Sequence, residues 1–171
     1  GYAGLRIVDI CYLQARNVHV GESWLRGVQY KTKKPYNIPI HPALLLYLKS
    51  QIDPSISPGD YVFPELAALY KNRPSEVSKL FADLMRVAGV KGTSIVAHNR
   101  QRASSLKGAH SLRHTFGAWY VRYLPKIYVK ALLGHADEDV TDNYTNHVDE
   151  IDLYRRFLEA PAPFTYRQEQ K

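Results

Sequence analysis

Two arginines far apart in the chain, Arg6 in AGLRIVDI and Arg113 in HSLRHTF, are of the residue type that grips phosphate through paired N–H donors. His110 stands three positions before Arg113, and on a helix positions i and i+3 share a face, so the two side chains can address one ligand. Guanidiniums that converge on a single phosphate stabilise the extra charge of a five-coordinate phosphoryl transition state. Neither arginine is specific alone, because a solitary arginine is ordinarily a surface or salt-bridge residue. A third residue raises a question: of thirteen tyrosines, Tyr144 sits nine positions after His135 in an acidic, polar setting. Its phenol, with an unperturbed pKa of about 10, is mostly protonated at neutral pH.

Other chemistries fit less well. His110 and His114 have the i, i+4 spacing of a metalloprotease pair, but Ser111 stands where that motif needs Glu. DEDVTD at 137 to 142 lacks the glycine and the closing Glu of a calcium loop, and suits the start of a short helix, where acids offset the helix dipole. No glycine-rich phosphate loop is present. Cys11 is the single cysteine, which excludes an internal disulfide and a cysteine-based zinc site and fits a reducing compartment. The expectation is a chemistry with no metal and no cofactor.

The elements that must position these residues read as a mixed, mostly helical chain. LRIVDICYL suits a short buried helix. NVHV, WLRGVQY and YNIPI are strand-like runs separated by GES and KTKKP, and predict a small three-stranded antiparallel sheet. PALLLYLKSQ is helical, with Pro42 tolerated in its first turn. IDPSISPGDYVFP reads as a loop that ends at Pro64. SEVSKLFADLMRVAG is the clearest helix, with Ser75 as candidate cap, an apolar stripe of Val77, Leu80, Phe81, Leu84 and Val87, and Gly89 as its stop. A polar, basic loop at 91 to 108 precedes helices from about Ser111 to Tyr123 and from Pro125 to Leu133, the latter stopped by Gly134. A short helix carries Tyr144, another runs through EIDLYRRFLE, and Pro161 and Pro163 end regular structure.

Charge divides the chain. The net charge is +7, yet no acid occurs between Asp83 and Asp137, an interval with nine Lys/Arg and four of the seven histidines. That interval suits a polyanion such as nucleic acid. From Asp137 onward nine Asp/Glu face four Lys/Arg, so this tail is repelled by phosphates and suits solvent or a protein neighbour. With 171 residues, 45% of them hydrophobic, the chain is sized for one domain with a real core. No apolar run approaches a membrane span and no secretory signal is visible, so the reading is soluble and intracellular.

Taken jointly, Gly-Leu-Arg at 4 to 6, Lys-Thr at 31 and 32 followed by Ile-Pro-Ile at 38 to 40, HSLRHTF at 110 to 116, LLGH at 132 to 135 and Tyr144 resemble the catalytic domain of the tyrosine recombinases, the phage-integrase family. The match runs from residue 4 to about residue 147. The resemblance implies an α+β fold, mostly helical with a small three-stranded antiparallel sheet. It also implies a site-specific DNA recombinase or integrase that cleaves and rejoins strands through a 3′-phosphotyrosyl intermediate, without metal or ATP.

Residue by residue, it assigns Tyr144 as nucleophile, Arg6 and Arg113 as the phosphate clamp, and His110 as general base or proton relay. His135 becomes the hydrogen-bond donor to the scissile phosphate, and Lys31 the acid that protonates the leaving 5′-oxygen. Lys33 and Lys34 are read as backbone contacts, and Asp9 as an acid that orients an arginine or histidine. The expected partner is double-stranded DNA, with tetramers on DNA for a full-length protein and a monomer for this chain alone, in a prokaryotic cytoplasm at the nucleoid. Residues 1 to 171 read as one catalytic domain of a longer protein, lacking an upstream core-binding domain and the first helices, with a C-terminal helix and tail at 149 to 171. That helix resembles one that family members dock onto a neighbouring protomer; packing on its own domain is the other reading. Alternatives for the whole chain are a type IB topoisomerase-like enzyme, which HSLRHTF argues against, a catalytically inactive DNA-binding relic, and a protein-interaction module, which leaves the basic loop unexplained.

Overall fold

In a computed structural model the described residues are 2–53, 55–90, 94–95, 104–105, 108–134 and 148–163, with backbone alone at 94–95 and 104–105. They form seven helices and a three-stranded antiparallel sheet. Helix α1 (Ile7–Cys11) leads through one 3₁₀ turn into β1 (Val18–His19), β2 (Trp24–Val28) and β3 (Pro35–Pro39). Then come α2 (Pro42–Gln51), α3 (Pro64–Asn72), α4 (Pro74–Val87), α5 (Ala109–Tyr120), α6 (Lys126–Leu133) and α7 (Glu150–Glu159). Between α4 and α5, β4 (Ser94–Ile95) and β5 (Ser104–Ser105) pair antiparallel inside the stretch expected to be a loop.

The sheet has order β1-β2-β3, and Leu25 of β2 faces Val18 on one side and Ile38 on the other. Strand alternation turns this row inward, where Leu25, Ile38 and Ile40 are buried. They share one core with Phe116 and Tyr120 of α5, Leu132 of α6 and Phe157 of α7. The Tyr120 and Phe157 rings stack at 4.8 Å, and with Leu153 they fix α7 on its own domain. Asp149 caps that helix, accepting from the amides of Ile151 and Asp152 at 2.8 and 3.3 Å.

Four expectations need correction. Pro64 does not merely close a loop: it opens α3, where a proline at the first helical position costs no hydrogen bond and Glu65 favours the positive helix end. Pro74 likewise begins α4, so Ser75 lies inside the helix and is not its cap; Arg73 occupies the cap position without a side-chain bond. Along the predicted apolar stripe of α4 only Val77 is buried, while Leu80, Leu84 and Val87 are exposed and nothing among the described residues covers them. Helix α5 starts two residues earlier and ends three earlier than expected, after Gly108, whose amide donates to Ser111 Oγ at 3.1 Å. The predicted helix around Tyr144 lies outside the described residues.

Candidate active site

Arg6 occupies the position just before α1, with extended backbone that turns its side chain toward the end of β2. There its Nη1 donates to Gln29 Oε1. Arg113, on the second turn of α5, is only 5% exposed and spans two chain segments: Nη1 donates to the Gly4 carbonyl at 2.7 Å, and Nη2 to the carbonyl of Leu133 at the end of α6. Gly4 has φ +60, and a Cβ there would lie 2.6 Å from the Phe116 ring, so this turn requires glycine to aim its carbonyl at Arg113. The Gly-Leu-Arg tripeptide thus presents one arginine and holds the other.

Gln29 was not among the residues read as functional, yet it joins the parts. It is 1% exposed; its Oε1 accepts from both Arg6 and the Thr32 hydroxyl, and its Nε2 donates to Leu133 O at 3.2 Å. The next residue, Gly134, has φ +58, and a Cβ there would sit 2.0 Å from Gln29 Nε2. The sequence carried a signal for this: in WLRGVQY, Gln29 falls on the same alternating face as Leu25, a polar residue at an inward position that must have hydrogen-bond partners.

Arg6, His110, Arg113 and His114 line one open cleft of about 540 Å³, with Lys126 and Lys130 of α6 on its wall beside Val121, Val129 and Leu133. The two lysines belong to the acid-free interval, but the sequence alone did not place them at the site. His110 and His114 are exposed on α5, with rings edge to face at 4.5 Å. Burial, and then the neighbouring Arg6 charge, pull Arg113 down to about 10, while the Asp9 carboxylate works the other way. Arg113 therefore stays charged at neutral pH, in a setting where two cations repel each other and a bound anion relieves the repulsion. Desolvation, His114, Arg113 and Arg6, in that order, hold His110 below the ordinary imidazole value, so it is neutral and able to accept a proton near pH 7.

Asp9 is 5% exposed and lies against this pair from behind, but it does not hold an arginine or histidine as expected: its Oδ1 accepts from the Tyr30 amide at 2.7 Å, and its Oδ2 has no hydrogen-bond partner among the described residues. Lys31 is exposed in the turn between β2 and β3 and does not line the cleft. The turn is closed by Gln29 N to Lys34 O at 2.8 Å and Lys33 N to Gln29 O at 3.0 Å. His135 and Tyr144 lie outside the described residues. Of the other tyrosines singled out, Tyr120 is fully buried, Tyr123 is exposed, and the Tyr128 hydroxyl donates to Asp152 Oδ2 at 2.8 Å. No helix among the described residues is long and apolar enough to cross a membrane.

Two guanidiniums and an imidazole thus share one cleft on a mostly helical domain with a three-stranded antiparallel sheet. The chain belongs to the phage integrase family, whose model matches residues 2–150. Among solved structures, the fold is similar to XerA recombinase, with 23% identity and a TM-score of 0.55 over 92% of this chain and 54% of that one. It is also similar to the integrase from mycobacterium phage Brujita, with 17% identity and a TM-score of 0.61 over 98% and 50%. The Tn1549 transposon integrase, in complex with transposon right end DNA, matches with 16% identity and a TM-score of 0.51 over 92% and 55%. At such identities the likeness is one of fold, and the chain spans about half the length of these solved chains. A comparison with curated proteins finds no match.

Proposed function

We propose that the chain is the catalytic domain of a site-specific DNA recombinase or integrase that cuts and rejoins strands through Tyr144. In this reading Arg6 and Arg113 hold the non-bridging oxygens of one DNA phosphate. His110 takes the phenolic proton, and the Tyr144 oxygen attacks phosphorus. A 3′-phosphotyrosyl bond forms as the bond to the 5′-oxygen breaks, and Lys31 supplies the proton that the leaving oxygen needs. His135 donates a hydrogen bond to the same phosphate. The covalent link keeps the energy of the broken ester, so a 5′-hydroxyl from a partner strand can reverse the step and restore tyrosine without ATP. Charge stabilisation by the arginines takes the part that a metal ion has in other phosphoryl-transfer sites. Double-stranded DNA is the substrate, and the cytoplasm at the nucleoid is the expected location.

The observation that carries this reading is the convergence of Arg6, His110 and Arg113, from residues over a hundred positions apart, on one cleft with two further lysines on its wall. The test is covalent trapping. The protein is incubated with a pool of nicked duplexes that lose a short strand after cleavage, and adducts are resolved on a denaturing gel and located by mass spectrometry. An adduct on Tyr144 that disappears in Tyr144→Phe, with duplex binding nearly unchanged, is the expected result. An adduct on another residue, or none with a duplex that binds, overturns the assignment.

A further inference from the structure

A second and larger cavity, of about 650 Å³, is lined by Asp9 and by Gln29, whose side chain is bonded to Arg6 of the arginine cleft. Its walls come from four stretches of chain: Tyr12 at the end of α1, Arg16 in the 3₁₀ turn, Tyr30 and Lys33 on the β2–β3 hairpin, and Tyr61 just before α3 with Lys71 in that helix's last turn. Tyr12 is the hub of the aromatic cluster, with ring centroids 5.0 Å from Tyr30 and 5.7 Å from Tyr61. Tyr30 and Tyr61 keep 54% and 39% of their surface open to solvent. The cluster is therefore not sealed as a core would be, and large exposed rings gathered in a concavity mark a binding surface.

Charge narrows the occupant. Three cations, Arg16, Lys33 and Lys71, stand around the rings, against one acid, Asp9, which is turned inward and bonded to the Tyr30 amide. The Lys33 ammonium lies 4.8 Å from the Tyr30 ring centroid, and Arg16 Nε is steadied by Gln14 Oε1 at 2.9 Å. Aromatic faces with cations beside them suit a ligand that is flat and apolar on one part and anionic on another. A paired base inside a duplex hides its face in the stack, whereas an unpaired nucleotide offers both its base and its phosphate.

We propose that this cavity holds a single unpaired nucleotide, its base against Tyr30 and Tyr61 and its phosphate among Arg16, Lys33 and Lys71. The source of that nucleotide rests on the proposed function: exchange of strands requires bases next to the cut to leave their partners, and the cavity adjoins the phosphate cleft through the Arg6–Gln29 bond. The cavity then gives the released strand somewhere to stay while it changes partner.

The test compares, by fluorescence anisotropy, a fully paired duplex with the same duplex carrying one unpaired adenine, and follows dAMP alone by saturation-transfer NMR. The unpaired duplex binds the tighter of the two, and the difference is lost in Tyr61→Ala and in Tyr30→Ala, each lowering affinity by at least about fivefold, as removal of a stacking face does. Binding of the paired duplex stays within about twofold in Tyr61→Ala, because that residue does not line the arginine cleft. dAMP receives saturation at its base protons from the parent protein and not from Tyr61→Ala. Equal binding of the two duplexes, or a preference that survives both substitutions, overturns the cavity while leaving the recombinase reading in place. Transfer to dAMP that depends on Tyr61, with no binding of either duplex, supports the cavity and counts against DNA as substrate. No response from dAMP or from either duplex overturns both.

Discussion

The arginine cleft and the hairpin tip beside it are built in opposite ways. Arg113 is buried, its fork fixed by two backbone carbonyls, and Arg6 is tied to Gln29. Lys31 is exposed on the turn and makes no hydrogen bond or ion pair among the described residues. Its neighbour Thr32 is the hairpin's side-chain link to the cleft, through the oxygen of Gln29 that also receives Arg6. The difference suits the two tasks proposed for them. Charge stabilisation is worth most when donors are already oriented and need no reorganisation as the reaction proceeds. Proton delivery requires a group that reaches the leaving oxygen late, and a flexible lysine stem on a short turn can do so.

Breaking the rigid side has the largest expected effect. Arg113→Ala should lower the rate of adduct formation by about a hundredfold or more, as removal of a fixed transition-state donor does. It also leaves the Gly4 and Leu133 carbonyls without this donor, so thermal unfolding should show a loss on the order of 1–3 kcal/mol. Arg113→Lys sharpens the point: it keeps the charge and loses the fork, so stability should recover more than the rate does. A rate near that of the parent protein in either variant would remove Arg113 from the clamp.

Substitution on the flexible side should act differently. Lys31→Ala should leave the fold nearly untouched, since its side chain is exposed, and should slow cleavage by about a hundredfold, the ordinary size of a general-acid contribution. A substrate whose bridging 5′-oxygen is replaced by sulfur leaves without needing a proton. The variant should therefore cleave it almost as fast as the parent protein does. Equal slowing on both substrates would mean that Lys31 serves binding and not proton transfer, and would pass the acid's part to Lys33 or Lys34.

The same contrast explains what is legible in the sequence alone. Arg6, His110 and Arg113 were singled out because GLR, HSLRHTF and LLGH jointly resemble one family, where neither arginine is specific alone, and the sheet because WLRGVQY and YNIPI are strand-like runs bounded by turn residues. Gln29 was missed since its part depends on three partners at sequence distances from 3 to 104, and no local pattern encodes such a meeting. Helix α3 was missed because Pro64 was read as an ending, although proline opens helices as readily as it ends other elements. The aromatic cavity draws on four separate stretches, so nothing marks its tyrosines among the chain's thirteen until the fold gathers them.

The smallest effect expected concerns how the fixed site sets the protonation of His110, the base proposed for it. His110 lies below the ordinary imidazole value, and the second-ranked cause is His114, next to it on α5. A lowered value means that the proton leaves at lower pH, so the neutral base is present above that point and lost as pH falls through it. The second-order rate of adduct formation, which reports the free enzyme, should rise with pH along an acid limb centred below the reference imidazole value of 6.5. His114→Gln takes away one of the lowering influences and should move the limb upward toward that reference while leaving the plateau rate nearly unchanged. His110→Ala should flatten the limb and lower the plateau together. A limb that stays where it is in His114→Gln, or that survives in His110→Ala, would assign the titrating base to another residue and leave His110 as a hydrogen-bonding group of the cleft.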